Sequence, residues 1–417
     1  MTTEKKSRRP VDSAFKQQRL RACQPNLTPK TVLPVFLIVG ILFAPIGGLL
    51  LWASDTVAEL IVDYTECDKA GLEFVPVPTE SFTSNFPGSA GDDASTPSPE
   101  YRSIQAVGSG NNVTWPTMRC TVKFHIPVKM KRPVFVFYRL TNFHQNHRQW
   151  IKSMDMRQLA GERRSVEELK AGGCDRLAVV EENNVTYPIY PCGLMANSMF
   201  NDSFGLAFKP FDATTNDNKT YLLIDKGIAW DGDASKYAKY SYELSEIRPP
   251  PNWRNYPNGY SEASPPINVA EDEHFQVWMR TSGLPNFRKI YAKNEQDDLP
   301  VGTYTIDIDM NYNVTSFTGT KSIVISTVSF MGGRNPFLGI AYVVVGVLCV
   351  VLGFLFVARH LYKPRRLGDH TFVAWDNNHR LAKTISSNSS NHRHDFEESE
   401  GEAFPPSATT TGASARY

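Results

Sequence analysis

The sequence predicts a two-span membrane protein with a mainly β-stranded domain between its transmembrane helices. Three observations carry this reading. Val32–Trp52 and Phe337–Val357 are each 21 residues long without Asp, Glu, Lys, Arg, His, Asn or Gln. The flanks outside both runs are basic, and the flank just inside the first is acidic. The segment between them alternates apolar and polar residues over several short stretches. About 20 apolar residues cross a hydrocarbon core, and within lipid a helix satisfies its own backbone.

Residues 1–31 read as a basic tail: residues 1–30 hold eight Lys/Arg against two acids. The leader is too long for a signal peptide, and no small-residue cleavage site follows the apolar run. After the first span come Asp55, Glu59, Asp63, Glu66 and Asp68 before any base. After the second come Arg359, Lys363, Arg365 and Arg366. The positive-inside rule therefore places both termini in the cytosol. Within the tail, "RPVDSAFKQQRL" is expected to lie along the cytosolic face with Phe15 and Leu20 turned inward. Each base near anionic lipid is worth about 1 kcal/mol. The net charge of +1 hides this asymmetry, and no nucleic-acid partner is expected.

The first span carries a small-residue ladder, Gly40, Ala44 and Gly48, at i, i+4 and i+8. Its Pro45 is expected to bend the helix at the Ile41 carbonyl. The second span repeats glycine every seventh residue, at Gly339, Gly346 and Gly353. Seven residues advance a helix to about 20° short of two turns, so the three glycines share one slowly drifting stripe. Burial does little to drive helices together in lipid, whereas small residues let backbones approach. Both sets read as packing grooves.

Residues 53–336, 284 in all, are ample for a core of their own. "TYTIDIDMNY" alternates Tyr304, Ile306, Ile308, Met310 and Tyr312 with polar partners, the period of a half-buried strand. "CTVKFHIPV" and "RPVFVFYRL" do likewise, and "KSIVISTVSF" is a β-branched run leading to the second span. Gln149–Ala160 reads as helix, stopped at Gly161. Residues 76–111 are rich in Pro, Ser, Gly and Asp, which predicts a long mobile insertion. The cytosolic tail, 358–417, is polar after Thr384 and predicted to be disordered.

Cys67, Cys120, Cys174 and Cys192 lie in the middle segment, where oxidation is permitted. Four cysteines allow three pairings, and spacing does not choose among them. Sequons fall there at Asn112, Asn184, Asn201, Asn218 and Asn313, with two more in the tails at Asn26 and Asn388. Catalytic signatures are missing: no G-x-S-x-G, no H-E-x-x-H and no phosphate loop occur. His144-x-x-His147 has no acidic or cysteine neighbour in its stretch and reads as a polar loop. Asp307 and Asp309 are expected to face solvent from one strand face. No metal, cofactor or catalytic residue is expected. Neither span carries an ionisable group, so neither offers a path for a polar solute.

Seven stretches in order carry a family resemblance: "RRPVDSAFKQQRL", "FYRLTNFHQNHRQWIKSMD", "YPCGLMANSMFNDSF", "GIAWDGD", "NWRNYPNGY", "FQVWMRTSGLPNFRKIY" and "ISTVSFMGGRNPFLGIAYVVVG". The chain resembles the ligand-effect-modulator, or cell-division-control-fifty, family, with a fungal spacing of motifs. These are the β-subunits of type IV P-type ATPases, which move phospholipid from the exoplasmic to the cytosolic leaflet. The resemblance covers all but residues 76–111 and the C-terminal tail. Cys23 departs from it, since relatives usually carry an aromatic residue there.

The resemblance implies an antiparallel, β-sandwich-like exoplasmic domain with short helices. It also implies glycosylation and neighbour-paired bridges, Cys67–Cys120 and Cys174–Cys192. It further implies a non-catalytic role, needed for its ATPase to leave the endoplasmic reticulum and complete its cycle. The complex would then reside in the endoplasmic reticulum, Golgi, endosome or plasma membrane, depending on the partner. The segment Cys192–Phe204, with Asn197, Phe200 and Asn201, would help shape the face over the ATPase. Two other readings are a tethered lumenal hydrolase and a free-standing receptor or adhesion glycoprotein.

Overall fold

The computed structural model describes residues 12–20, 28–88, 98–110, 113–211 and 219–363. Cys23, Asn26, Asn112, Asn218, Asn388 and the tail beyond residue 363 lie outside the described residues. The chain divides into two compact units, residues 1–38 with 349–417 and residues 39–348, cut through both long helices.

Those helices are α1 (Pro29–Asp55) and, at the other end, α8 (Phe337–Tyr362). Each outruns its apolar stretch, because extending a nucleated helix adds one hydrogen bond per residue fixed. Their most apolar windows have mean hydropathies of 2.5 and 3.0, and only 11% of each window is buried. A soluble core helix of that composition would be covered by protein. These two are left for lipid.

Residues 39–348 hold the β domain, which is built around two antiparallel sheets. Its strands are β1 (Glu59–Asp63), β2 (Val75–Pro76), β3 (Phe82–Asn85), β4 (Glu100–Gly110), β5 (Val113–Ile126), β6 (Val134–Leu140), β7 (Val179–Glu182) and β8 (Val185–Pro188). They continue with β9 (Ser203–Phe204), β10 (Ala207–Pro210), β11 (Tyr221–Leu222), β12 (Phe287–Asn294), β13 (Gly302–Met310) and β14 (Lys321–Ser326). One sheet runs β12-β6-β14-β1-β3, and the other runs β11-β10-β13-β5-β4-β2 with β9 beside β13.

In β6 and β13 the alternation of the sequence turns apolar side chains to the core. β14 is buried at every residue, as its unbroken Ile/Val run requires of a central strand. β1 leaves α1 and pairs with β14, which leads toward α8, so Glu59 lies opposite Ser326. That pairing brings the chain's entry into the domain and its exit to one place.

Three expectations are corrected here. The segment 76–111 is no structureless insertion, because β4 lines up with β5 from Glu100–Lys123 to Gly110–Val113. Its Ser and Gly content masked a strand whose partner supplies the hydrogen bonds. The helix expected over 149–160 is two, α2 (Arg148–Lys152) and α3 (Met156–Leu159). Asp155 breaks it by accepting from the Arg157 and Gln158 amides at 2.9 Å, which makes it the N-cap of a new helix. Asp307 and Asp309 share a face, as alternation demands, yet both are paired. Asp309 meets Arg119, and Asp307 meets Lys209 at 2.9 Å and Thr121 at 2.8 Å. Burial pulls the Asp307 carboxyl upward, but Lys209 and Thr121 outweigh it and hold it below its usual value.

Candidate partner interface

The segment Tyr190–Phe204 is assembled before it is displayed. Gly193 adopts φ +95°, and a Cβ there would strike the Ser153 carbonyl oxygen, so no side chain fits. The chain then enters the single-turn helix α5 (Leu194–Asn197), whose Met195 and Ala196 are buried. Three indoles donate to this short element. Trp278 reaches the Met195 carbonyl at 2.8 Å, Trp253 the Ala196 carbonyl at 2.8 Å, and Trp150 the Ser198 hydroxyl at 2.9 Å. A four-residue helix has no stability of its own. These donors and the buried flank of Cys192 hold it in place.

Behind the segment lies a polar centre. The Asp202 side chain is wholly buried and takes four donors: Tyr64 at 2.9 Å, Lys321 at 2.7 Å and the amides of Asn311 and Tyr312 at 2.5 and 2.6 Å. Lys321 belongs to β14 and Tyr64 follows β1, both of the β12-β6-β14-β1-β3 sheet, whereas Asn311 and Tyr312 follow β13 of the other sheet. One carboxylate therefore ties both sheets to the segment. Burial, reinforced by Asp202, holds the Tyr64 phenol well above its ordinary value, so it stays a donor.

A cavity of about 280 Å³ opens beside Asp202, lined by Trp115, Trp253, Arg254, Asp272 and His274 among others. Burial lowers the His274 imidazole against the upward pull of Asp272 and Asp225. Among the described residues no group of three His, Cys, Asp or Glu side chains could hold a metal ion.

Two bridges frame the region. Cys67 and Cys120 are joined, Cα to Cα 5.9 Å, which links the turn after β1 to β5 in the other sheet. Cys174 and Cys192 are joined, Cα to Cα 5.8 Å, and enclose the β7–β8 hairpin. Asn183 and Asn184 form its tip with φ of 53° and 61°, the left-handed pair of a type I′ turn.

The long helices approach through small residues. Within residues 39–348, a Cβ on Gly346 would lie 2.9 Å from the Ala44 nitrogen, and one on Gly339 2.9 Å from the Leu51 nitrogen. Phe43 packs on Tyr342 with ring centroids 4.9 Å apart. Within the other unit, a Cβ on Gly353 would lie 3.1 Å from Leu37, and Phe36 meets Phe356 edge-on at 5.7 Å. On the first span the ladder needs one correction. Gly40 is buried and Ala44 faces Gly346, but nothing lies within 4 Å of a Cβ on Gly48. Its place is taken by Gly47, whose Cβ would lie 2.7 Å from Val343 and 2.9 Å from the Gly339 carbonyl oxygen. At about 100° per residue Gly47 falls about 20° from Gly40, and Gly48 about 80° away.

The sequence profile of the LEM3 (ligand-effect modulator 3) family / CDC50 family matches residues 50–366. The chain belongs to this family. It is 40% identical over 375 residues to "Phospholipid-transporting ATPase accessory subunit CRF1" of Saccharomyces cerevisiae, covering 89% of this chain and 90% of that protein. It is 37% identical to "Phospholipid-transporting ATPase accessory subunit CDC50" of Chaetomium thermophilum, over 88% and 91%. It is also 37% identical to "Cell cycle control protein 50A" of Mus musculus, over 86% and 91%.

In this CDC50/LEM3 chain the residues expected to touch a partner divide in two. Phe15 and Leu20 are 76% and 62% exposed in a run of turns that an Asp12–Arg19 ion pair closes. Phe200 and Cys192 are buried, so neither offers surface. Phe200 instead stacks on Tyr138 at 4.0 Å and packs on Tyr312 at 5.3 Å. Asn197 accepts from the Asn252 amide at 2.9 Å, which orders the neighbouring loop. Within the segment the exposed residue is Ser203, with Asn197, Met199 and Asn201 half-buried before it and Leu206 exposed just after it. Asn184 and Asn313 are exposed, as are His144 and His147. Cys349 is the free cysteine among the described residues.

Sequence reasoning did not find Asp202, Lys321 or Tyr64, because a lone acid, base and phenol far apart in sequence carry no local signal. It also missed Lys289, whose ammonium caps α7 (Glu273–Met279) by donating to the Val277, Trp278 and Arg280 carbonyls. Burial and the Arg280 charge push this ammonium down to about 7. Gly47 was within reach of a heptad count.

Proposed function

We propose that the chain is the non-catalytic accessory subunit of a phospholipid-transporting type IV P-type ATPase, supporting its stability, its exit from the endoplasmic reticulum and its transport cycle. The observation that carries this is the similarity, over about nine-tenths of both chains, to proteins named as accessory subunits of phospholipid-transporting ATPases. Purification of the full chain from native membranes should bring down a large ATPase, identified by mass spectrometry. Stable delivery to the cell surface without any such partner would favour a free-standing glycoprotein instead.

In this reading both termini face the cytosol and residues 53–336 are exoplasmic, with glycans on Asn112, Asn184, Asn201, Asn218 and Asn313. Residence in Golgi, endosome or plasma membrane follows the ATPase partner. Exposure of Asn184 and Asn313 supports modification there. Endoglycosidase should collapse several bands, and Asn184→Gln and Asn313→Gln should each remove one step. Asn26→Gln and Asn388→Gln should leave mobility unchanged. A glycan on either tail site would invert the assignment of sides.

The Cys174–Cys192 bridge flanks the segment that supports the partner face. Cys174→Ser is expected to cost about 2–5 kcal/mol, the usual range for a lost native bridge in a small secreted domain. It should lower ATPase recovery by more than Cys67→Ser at matched expression. Equal recovery in both variants would leave the bridge a purely folding role.

A further inference from the structure

We infer that the turn Val328–Arg334 is an anchor for the phospholipid leaflet on the folded domain's side of the membrane. The loop leaves the sheet where the Thr327 amide donates to Ala58 at 2.9 Å. It returns where the Asn335 amide donates to the Ser54 hydroxyl at 3.1 Å, in the last turn of α1. Ser54 lies two residues past Trp52, the end of the apolar run, or about 3 Å along a helix. Both ends of the loop are thus fixed at the depth where the first span meets its interface.

Between these points the tip is apolar and uncovered. Phe330 is 77% exposed, and Met331 and Val328 are exposed beside it. Trp52 and Phe337, at the adjoining helix ends, are exposed as well, the aromatic composition of a membrane boundary. The backbone suits lipid, which offers no hydrogen bonds. Ser329 and Gly332 exchange reciprocal bonds of 2.8 and 2.9 Å, and the Met331 amide turns back to the Ser329 hydroxyl. Arg334 follows, half-buried, with its Nε covered by the protein itself. Phe330 and Met331 enter the acyl boundary.

The inference rests on the two spans and not on the identity of the ATPase. It is tested with the full chain and its co-purified ATPase in phosphatidylcholine/phosphatidylserine nanodiscs, with the photo-crosslinker p-benzoylphenylalanine in place of Phe330. Leu284 serves as control. It is 69% exposed and precedes Phe287, which pairs with Leu140 opposite Lys321, the end of β14 away from Ser326. Illumination should give a phospholipid adduct at position 330 and none at 284, with ATPase recovery unchanged. An adduct of ATPase size would assign the turn to a protein contact and overturn the anchor, leaving the accessory-subunit reading intact. Absence of any adduct at position 330 would overturn it equally.

Discussion

Asp202→Ala is expected to destabilise the folded domain by about 3–5 kcal/mol, the cost of removing one partner from a buried ion pair. Lys321, only 4% exposed at its side chain, would be left with the Tyr312 carbonyl as its remaining acceptor. Tyr64 and two backbone amides would lose their acceptor at the same time. In a domain of this size each kcal/mol lowers the unfolding midpoint by roughly 2–4 °C. Thermal unfolding of the purified full chain, followed by intrinsic fluorescence, reads the effect. The substitution leaves the Asn201 sequon intact, because its middle position excludes only proline. Adding Lys321→Met to the Asp202→Ala background should recover part of the loss, since it removes the stranded charge. A midpoint within a degree or two of the parent would show that Asp202 does not bind the sheets together.

Gly47→Leu and Gly48→Leu are expected to behave oppositely despite being neighbours. A side chain at Gly47 meets Val343 and the Gly339 backbone, none of which can move without parting the helices. At Gly48 it meets open space. Overpacking a close contact costs about 1–3 kcal/mol, occasionally more, and here it would separate two backbones. Gly346→Leu acts on the same contact from the other helix, against Ala44. Gly47→Leu and Gly346→Leu should therefore cut ATPase recovery severalfold and hold the chain in the endoplasmic reticulum. Gly48→Leu and Val344→Leu, both on exposed faces, should match the parent. Loss in Gly48→Leu with none in Gly47→Leu would mean that a partner helix, and not the chain's own pair, occupies the small-residue face.

The two membrane spans were legible in the sequence because 21 apolar residues in a row leave few alternatives in water or lipid. The strands were legible too, since the period-two alternation of β6 and β13 announces which residues face inward and the unbroken Ile/Val run of β14 announces a strand covered on both faces. So was the glycine stripe of the second span, where the heptad spacing is a property of the helix alone. β4 was not legible, because its partner β5 supplies the ladder that its composition does not advertise. Nor was the burial of Phe200, which depends on Tyr138 and Tyr312 arriving from two different sheets. Gly47 rather than Gly48 became the contact only when a second helix chose the face it would meet. Asp202 takes Lys321 from 119 residues away, and no local pattern encodes a pairing at that separation. Periodicity along the chain determined which residues could form each element. Contacts between distant segments, fixed only by packing, decided which of them touch.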